Sequence, residues 1–466
     1  MDIAPASGRR VLVIGLDCAP PALVFDRYRH VMPNVGRLMA EGSYGPLRST
    51  TPPITIPAWT SMLSGHDPGQ LGLYGFSRQV AGSYETVLTE SGDIGVPRVW
   101  EVLQAAGKRV APLFVPPTYP PSAVDGAMVS CFMTPGADQV HTHPPELGAE
   151  LSARFGPYIP DVVDFRTDDR ARVLSDLTAM TEQHFDIARH VWTTVAPDFM
   201  VLVEMGPDRL HHVLWQAIDP SHPGHDPSDP LLSAGEQYYG LLDRQIGALL
   251  SEVDDETPVL VVSDHGARAL RGGVCINEWL VREGYLVLRE QPTAVTALSD
   301  CDVDWERTRA WAAGGYCGRV YLNRSGLRPK GHLDDAACTR LADELAEGLR
   351  AIETPHSDRP HRVLQPHECY PQANGVPPDL SVFFGDLDLR AIASIGHGSL
   401  TITGNDTGPD GCNHDWDGIF VLSGGGQPAR GELSGLSILD VTPTILSLMG
   451  VEAPAGLSGV DRSMGA

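Results

Sequence analysis

The apolar positions of this chain fall mostly in short unbroken runs rather than in alternation. Val11–Leu16 (VLVIGL), Arg109–Val115, Asp198–Glu204 (DFMVLVE) and Pro258–Ser263 are the clearest. Strands buried on both faces of a parallel sheet read this way, because neither face meets water. Stretches of helical periodicity lie between them. MPNVGRLMAEG places Pro33 and Asn34 near a helix start, Leu38 and Met39 on its apolar face and Gly42 near its end. Val99–Ala106, Asp169–Val195, Leu231–Val253 and Leu439–Met449 also read as helices. The order strand, helix, strand predicts an α/β fold: a largely parallel central sheet, right-handed crossovers and helices on both faces.

The rhythm changes between Arg271 and Pro378. WAAGGYCGRVYLN reads as a strand and Leu333–Ile352 as a helix, so 285–375 is expected to be an inserted cap region. It would sit on a core formed by 1–284 and 376–466. The core would resume with DLSVFFGD, followed by the loop NHDWDG and the strand IFVLSG. Segments 66–96 and 116–170 are irregular, the first rich in Gly and the second in Pro, Gly and His. The second is expected to cover part of a site.

Charge narrows the partners. Against 34 Lys and Arg stand 59 Asp and Glu, a net charge of −25. That balance disfavours a nucleic-acid polymer or an anionic membrane surface. An anionic small-molecule substrate would then need local positive charge, such as metal ions. Eight scattered cysteines form no CxxC pair and no disulfide framework. The Arg pair near the N-terminus precedes an apolar run that ends at Asp17, which reads as a first strand rather than a signal peptide. No run approaches the ~20 apolar residues of a membrane span. A soluble, cytoplasmic protein is expected, with nothing to specify its oligomeric state.

The candidate chemistry lies where the buried runs stop. Asp17, Asp208 with His212, and Asp264 with His265 follow such runs, and His414 lies in GCNHDWDG. Carboxylates and neutral imidazoles suit zinc and similar divalent ions. Asp208 and His212, four apart, share one face of a helix. Thr55 lies in STTPPITIPAWTSMLSG, where a proline-rich loop enters an apolar helix. Alone it reads as a helix cap or a nucleophile; six distant ligands tip it toward nucleophile. Two ions ~3.5–4 Å apart can clamp the attacking and leaving oxygens of a displacement, and a nearby ion activates a hydroxyl. Three aspartates and three histidines make two sites of three, with Thr55 completing one.

Other residues have blander readings. His211 is one step off the four-residue spacing and reads as packing. His141 and His143 read as surface loop, His397 as loop, Cys18 as a small buried residue and Trp59 as core. His222 and His225 stay open between structure and substrate contact.

Taken in order, VIGLDCAP, MPNVGRLMAEG, STTPPITIPAWTSMLSGHDPGQLGLYGF, GPDRLHHVLW, VVSDHGA, INEWLVREGYL, GGYCGRVYLN, NHDWDGIFVLSG and ILDVTPTILSLMG span nearly the whole chain. The set resembles the alkaline phosphatase superfamily in its type I phosphodiesterase/nucleotide pyrophosphatase branch, which includes bacterial predicted phosphohydrolases and phosphomutases. The resemblance implies an alkaline-phosphatase-like α/β core. It implies one metal held by Asp208, His212 and His414, and another by Asp17, Asp264 and His265. Thr55 would be nucleophile and bridging ligand, forming a phospho-threonine. The two divalent ions would be zinc, with manganese or iron also suited to these donors. The substrate would be a phosphate ester, diester or nucleotide-like.

In relatives an Asn three residues after the nucleophile is expected to hold a phosphate oxygen; here Ala58 stands there. Arg98, Lys108, Arg209 and Arg268 are candidates to replace it, beside a backbone N–H near Thr55. Phosphonate cleavage is the alternative reaction. T-I-P-A-W lacks the sulfatase C/S-x-P-x-R pattern and the serine of the mutases. A non-catalytic metal-bound recognition protein is the third reading.

Overall fold

The structure is a computed structural model and describes residues 9–463. Its main strands are β1 (Val11–Leu16), β2 (Ser43–Arg48), β3 (Val110–Leu113), β4 (Phe199–Glu204), β5 (Val259–Val262) and β6 (Asp417–Ser423). They lie in one ten-stranded sheet in the order β2-β6-β5-β1-β4-β3. β5, β1, β4 and β3 are parallel neighbours, and β6 is antiparallel to β5 and β2. The unbroken apolar runs are thus the buried parallel centre.

The principal helices are α1 (Pro33–Glu41), α2 (Thr55–Ser64), α3 (Val99–Ala105), α4 (Arg170–Thr194), α5 (Gly206–Ile218), α6 (Ala234–Leu250), α7 (Asp335–Arg350) and α8 (Val441–Met449). Successive side chains of β1 divide between two apolar clusters, as strand geometry requires. Leu12, Ile14 and Leu16 pack with α1, α4, α5 and α6. Val11 and Val13 pack on the other face with α2, α3 and α8. Gly15 interrupts the apolar run for a steric reason: a Cβ there would lie 2.5 Å from the Trp59 ring. That close approach lets α2 lie against β1.

A second layer follows its own rules. WAAGGYCGRVYLN is two antiparallel strands, Ala310–Ala313 and Gly318–Leu322, rather than one. The break is at Gly314–Gly315, where Gly315 takes a positive φ of 122°. DLSVFFGD does not return to the main sheet. Its strand Leu380–Phe383 pairs with Gly318–Leu322 and Arg362–Leu364. An apolar run says that a strand is buried, not which sheet buries it. These strands, α7 and neighbours share a third apolar cluster reaching from Val274 to Ile395. Among the described residues, no helix is long and apolar enough to cross a membrane.

Candidate active site

The carboxyl ends of the parallel strands gather the polar residues, as open α/β sheets do. Asp17 follows β1 directly, and Asp264 and His265 follow β5. Asp208 and His212 lie one turn apart in α5, just after β4. His414 comes from a strand, Cys412–Asp415, antiparallel to Gly266–Ala269 and opposite Ala267. Thr55 is the first residue of α2. These six ligand candidates are at most 1% exposed and Thr55 only 2%.

Their atoms converge. Asp208 Oδ1 lies 3.4 Å from His212 Nε2 and 3.6 Å from His414 Nε2. His265 Nε2 lies 3.1 Å from Asp264 Oδ2 and 3.8 Å from Asp17 Oδ1. Thr55 Oγ1 lies 3.4 Å from the same His265 nitrogen. Two groups have all their ligand atoms within 4.8 Å of one another: Asp208, His212 and His414, and Asp17, Asp208 and His265. Asp208 belongs to both. Asp264 falls outside these groups, although its Oδ2 faces His265; its Oδ1 accepts from the Cys18 N–H at 3.1 Å.

The donor set fits divalent cations on two observations. Asp17 Oδ1, Asp208 Oδ1, Asp264 Oδ2 and His414 Nε2 are buried without a hydrogen-bond partner. Four such atoms facing one another would be costly unless a cation satisfies them. The histidines, meanwhile, are anchored through Nδ1. His414 Nδ1 meets the Pro53 carbonyl at 2.8 Å, His265 Nδ1 the Gly266 carbonyl at 3.1 Å and His212 Nδ1 the Asp410 carboxylate at 2.8 Å. Each contact places the proton on Nδ1 and leaves Nε2 to bind a metal.

Charge crowding gives the same picture. Burial, reinforced by Asp208, pushes the Asp17 carboxyl well up, and burial with Asp17 does the same to Asp264. Burial lowers His265, helped by His414, and it lowers His414. Burial also opposes the charge of His212, but Asp410 and Asp208 outweigh it and raise that group well above its ordinary value. Raised folded values give stability that is present at low pH and lost as pH climbs through them. Asp17, Asp264 and His212 therefore act in one direction, while neutral His265 and His414 oppose them only below about pH 6.5. Metal-free protein is expected to lose thermal stability as pH rises above about 6.5. Added zinc should restore most at the alkaline end. Melting curves with and without a chelator check this; a profile that is flat without metal would contradict it.

Three further residues shape the site, and spacing did not mark them. Trp59 is core, but its Nε1 also donates to Asp17 Oδ2 at 2.6 Å. Tyr316 reaches in from the second layer, its ring stacked on His414 at 3.6 Å and its hydroxyl 3.1 Å from His212 Nε2. Asp410, fully buried, holds His212 and accepts from Arg166 Nε and Arg390, each at 3.0 Å. Asp410 precedes His414 by four residues, a spacing with no meaning in a loop that leads into a strand.

Ala58 is fully buried in the apolar cluster under α2. Position 58 therefore serves packing in this chain. The backbone N–H groups of Thr55 and Ile56 are the free donors there: neither has a hydrogen-bond acceptor among the described residues. Of the four basic candidates, Arg209 alone is at the site, donating to Asp208 Oδ2 at 2.5 Å and to both Asp161 oxygens. Arg98 pairs with Glu101, and Arg268 with Asp388 and Asp415. Lys108 precedes β3, at the strand end away from the site.

Five further histidines are held locally. His211 meets the Tyr239 hydroxyl at 3.1 Å, and burial lowers it to about 3. His141 stacks on Tyr158, and His222 and His225 contact the carbonyls of Leu270 and Gln216. His397 contacts Ser394. Burial raises the Cys18 thiol well above its ordinary value.

Fold and site together define a metal-dependent phosphoryl hydrolase of the alkaline phosphatase superfamily. The chain belongs to the type I phosphodiesterase / nucleotide pyrophosphatase family, which it matches over residues 11–410. Many solved structures share its fold. Phosphonoacetate hydrolase from Sinorhizobium meliloti 1021, in complex with phosphonoformate, is 15% identical, with a TM-score of 0.60 over 96% of each chain. Murine ectonucleotide pyrophosphatase / phosphodiesterase 5, an inactive variant in complex with AMP, is 13% identical, with a TM-score of 0.56 over 97% of each chain. No curated protein matches the chain by sequence.

Proposed function

We propose that this enzyme hydrolyses phosphate esters, of diester or nucleotide-like type, by double displacement through Thr55. The observation that carries the reading is the place of the Thr55 hydroxyl. It opens helix α2, 3.4 Å from His265 Nε2, within a ring of buried ligand atoms that have no other partner. Asp208, His212 and His414 would hold one divalent ion, and Asp17, Asp264 and His265 the other, with Asp208 shared. Zinc suits this donor set, as do manganese and iron. Bound ions supply the charge that eases deprotonation of a hydroxyl and offsets phosphoryl oxygens.

The chain's own groups do the rest. Thr55 Oγ1 gives up its proton to solvent and attacks phosphorus; the P–Oγ1 bond forms as the bond to the leaving oxygen breaks, and that oxygen takes a proton from solvent. The N–H groups of Thr55 and Ile56, at the positive end of α2, face the oxygens that gain charge. Water then attacks the phospho-threonine, releasing the phosphoryl product and restoring the hydroxyl. Acid quenching during turnover, followed by peptide mass spectrometry, is expected to find phosphate on Thr55. Inversion at a chiral phosphorus, the mark of a single displacement, would overturn the mechanism. Phosphonate cleavage at the same atoms is the second reading, favoured by the fold shared with phosphonoacetate hydrolase. A panel of monoesters, diesters, sulfates and phosphonates separates the two.

A further inference from the structure

Beside the metal ligands lies a cleft of about 250 Å³ that departs sharply from the rest of this acidic chain. Its wall includes Ile54, the residue before Thr55, and Tyr316, which touches His212 and His414. Four arginines line it: Arg166, Arg209, Arg319 and Arg390. No acidic side chain does. In a protein of net charge −25, four cations converge on one opening from four separate segments.

Three of them have carboxylate partners. Arg166 and Arg390 share Asp410, and Arg209 is held by Asp161 and Asp208. Arg319 has none within ion-pair distance among the described residues. Among the described residues its only hydrogen bonds are long ones, 3.5 Å to the Ser77 carbonyl and 3.4 Å to the Gly314 carbonyl. Its Nε is buried and unpartnered, and so is the Nε of Arg390. Space is reserved for this guanidinium: a Cβ on Gly75 would lie 2.2 Å from Arg319 Nη1. An unpaired guanidinium in a recess whose donors already lack partners is an incomplete site. What completes it is an oxyanion, which a guanidinium fork grips through two hydrogen bonds.

We infer that this cleft is a subsite for a second anionic group on the substrate, a carboxylate or a further phosphate, with Arg319 as its principal partner. The inference rests on the phosphoryl reading of the metal site and deepens it. The substrate then carries an oxyanion a few bonds from the reacting phosphorus. Phe165, packed beneath Arg166 and Arg209 at 4.6 and 4.4 Å from ring centre to guanidinium carbon, keeps the cleft walls apolar between these charges. There an ion pair is screened less than in open water.

The test is calorimetric binding to the zinc-loaded full chain carrying Thr55→Ala, so that no probe turns over. The probes are methylphosphonate, phosphonoacetate, which adds a carboxylate, and methylenebisphosphonate, which adds a second phosphonate. At least one two-anion probe is expected to bind about 10- to 100-fold more tightly than methylphosphonate, the size of a charge-assisted hydrogen-bond pair. Whichever of them wins identifies the second group. Adding Arg319→Ala should remove most of that preference, and Arg319→Lys should keep part of it. Gly75→Ala, which displaces the guanidinium without removing it, should also reduce the ratio. If methylphosphonate binds with no preference for a second anion, or if the preference survives Arg319→Ala, the subsite is overturned and the phosphoryl reading stands. If none of the probes binds, both fall together.

Discussion

Replacing Thr55 by alanine is expected to lower kcat by about 10³-fold or more while metal content stays at the wild-type value. The two halves of that expectation have separate causes. The atoms that call for a cation are carboxylate oxygens and an imidazole nitrogen, all outside residue 55. Removing the hydroxyl leaves them in place, so the ions should remain. What disappears is the only hydroxyl at the start of α2 within reach of His265 Nε2. Thr55→Ser keeps the oxygen but frees the rotamer that β-branching restricts. It is expected to retain turnover, reduced by about 10-fold or less for loss of orientation alone. Steady-state kinetics on a chromogenic diester, with metal analysis of the same samples, decide the matter. Full activity in Thr55→Ala would remove Thr55 from the mechanism.

The parallel core was legible because each of its strands is buried on both faces, and that leaves an unbroken apolar signature. Five of the ligand candidates stood out for a related reason: a polar residue that follows such a run has few places to go except the sheet's carboxyl edge. His414 follows no such run, and only the pairing of its strand with Gly266–Ala269 brings it to the others. The second layer was less legible. Leu380–Phe383 has the same apolar signature as a core strand, yet it pairs with Gly318–Leu322. Periodicity reports burial and is silent about partners. Helix α2 shows the limit most directly, since all ten of its residues are buried. With no polar face, its sequence could not reveal that Ala58 packs in the core or that Trp59 reaches Asp17. Tyr316 and Asp410 enter from the chain's far half, and only the folded topology brings them to His212. The arginine cleft was invisible for the same reason, being drawn from four segments that share no motif.

Asp208→Asn is expected to remove both ions rather than one. The resemblance to known enzymes divides the ligands evenly, three to each ion. The geometry is less even: Asp208 belongs to both of the close groups, and Asp264 to neither. An amide at position 208 keeps the size of the side chain but loses the negative charge, and one of its two oxygens becomes a donor facing His212 and His414. Each ion then loses a ligand, and affinity should fall by more than about 100-fold at both sites, beyond what outer-shell changes cost. Arg209 compounds the loss, because its guanidinium, shared between Asp208 and Asp161, becomes an undercompensated cation beside the site. Asp264→Asn is the informative contrast. Its Oδ1 is already committed to the Cys18 N–H, and only Oδ2 faces the cluster. Its effect should be confined to the ion near His265. Metal-to-protein ratios after dialysis, measured for both variants, separate these cases. One ion retained in Asp208→Asn would show two independent sites of three ligands each. The loss of both, with one retained in Asp264→Asn, would show that a single carboxylate couples the two halves of the centre.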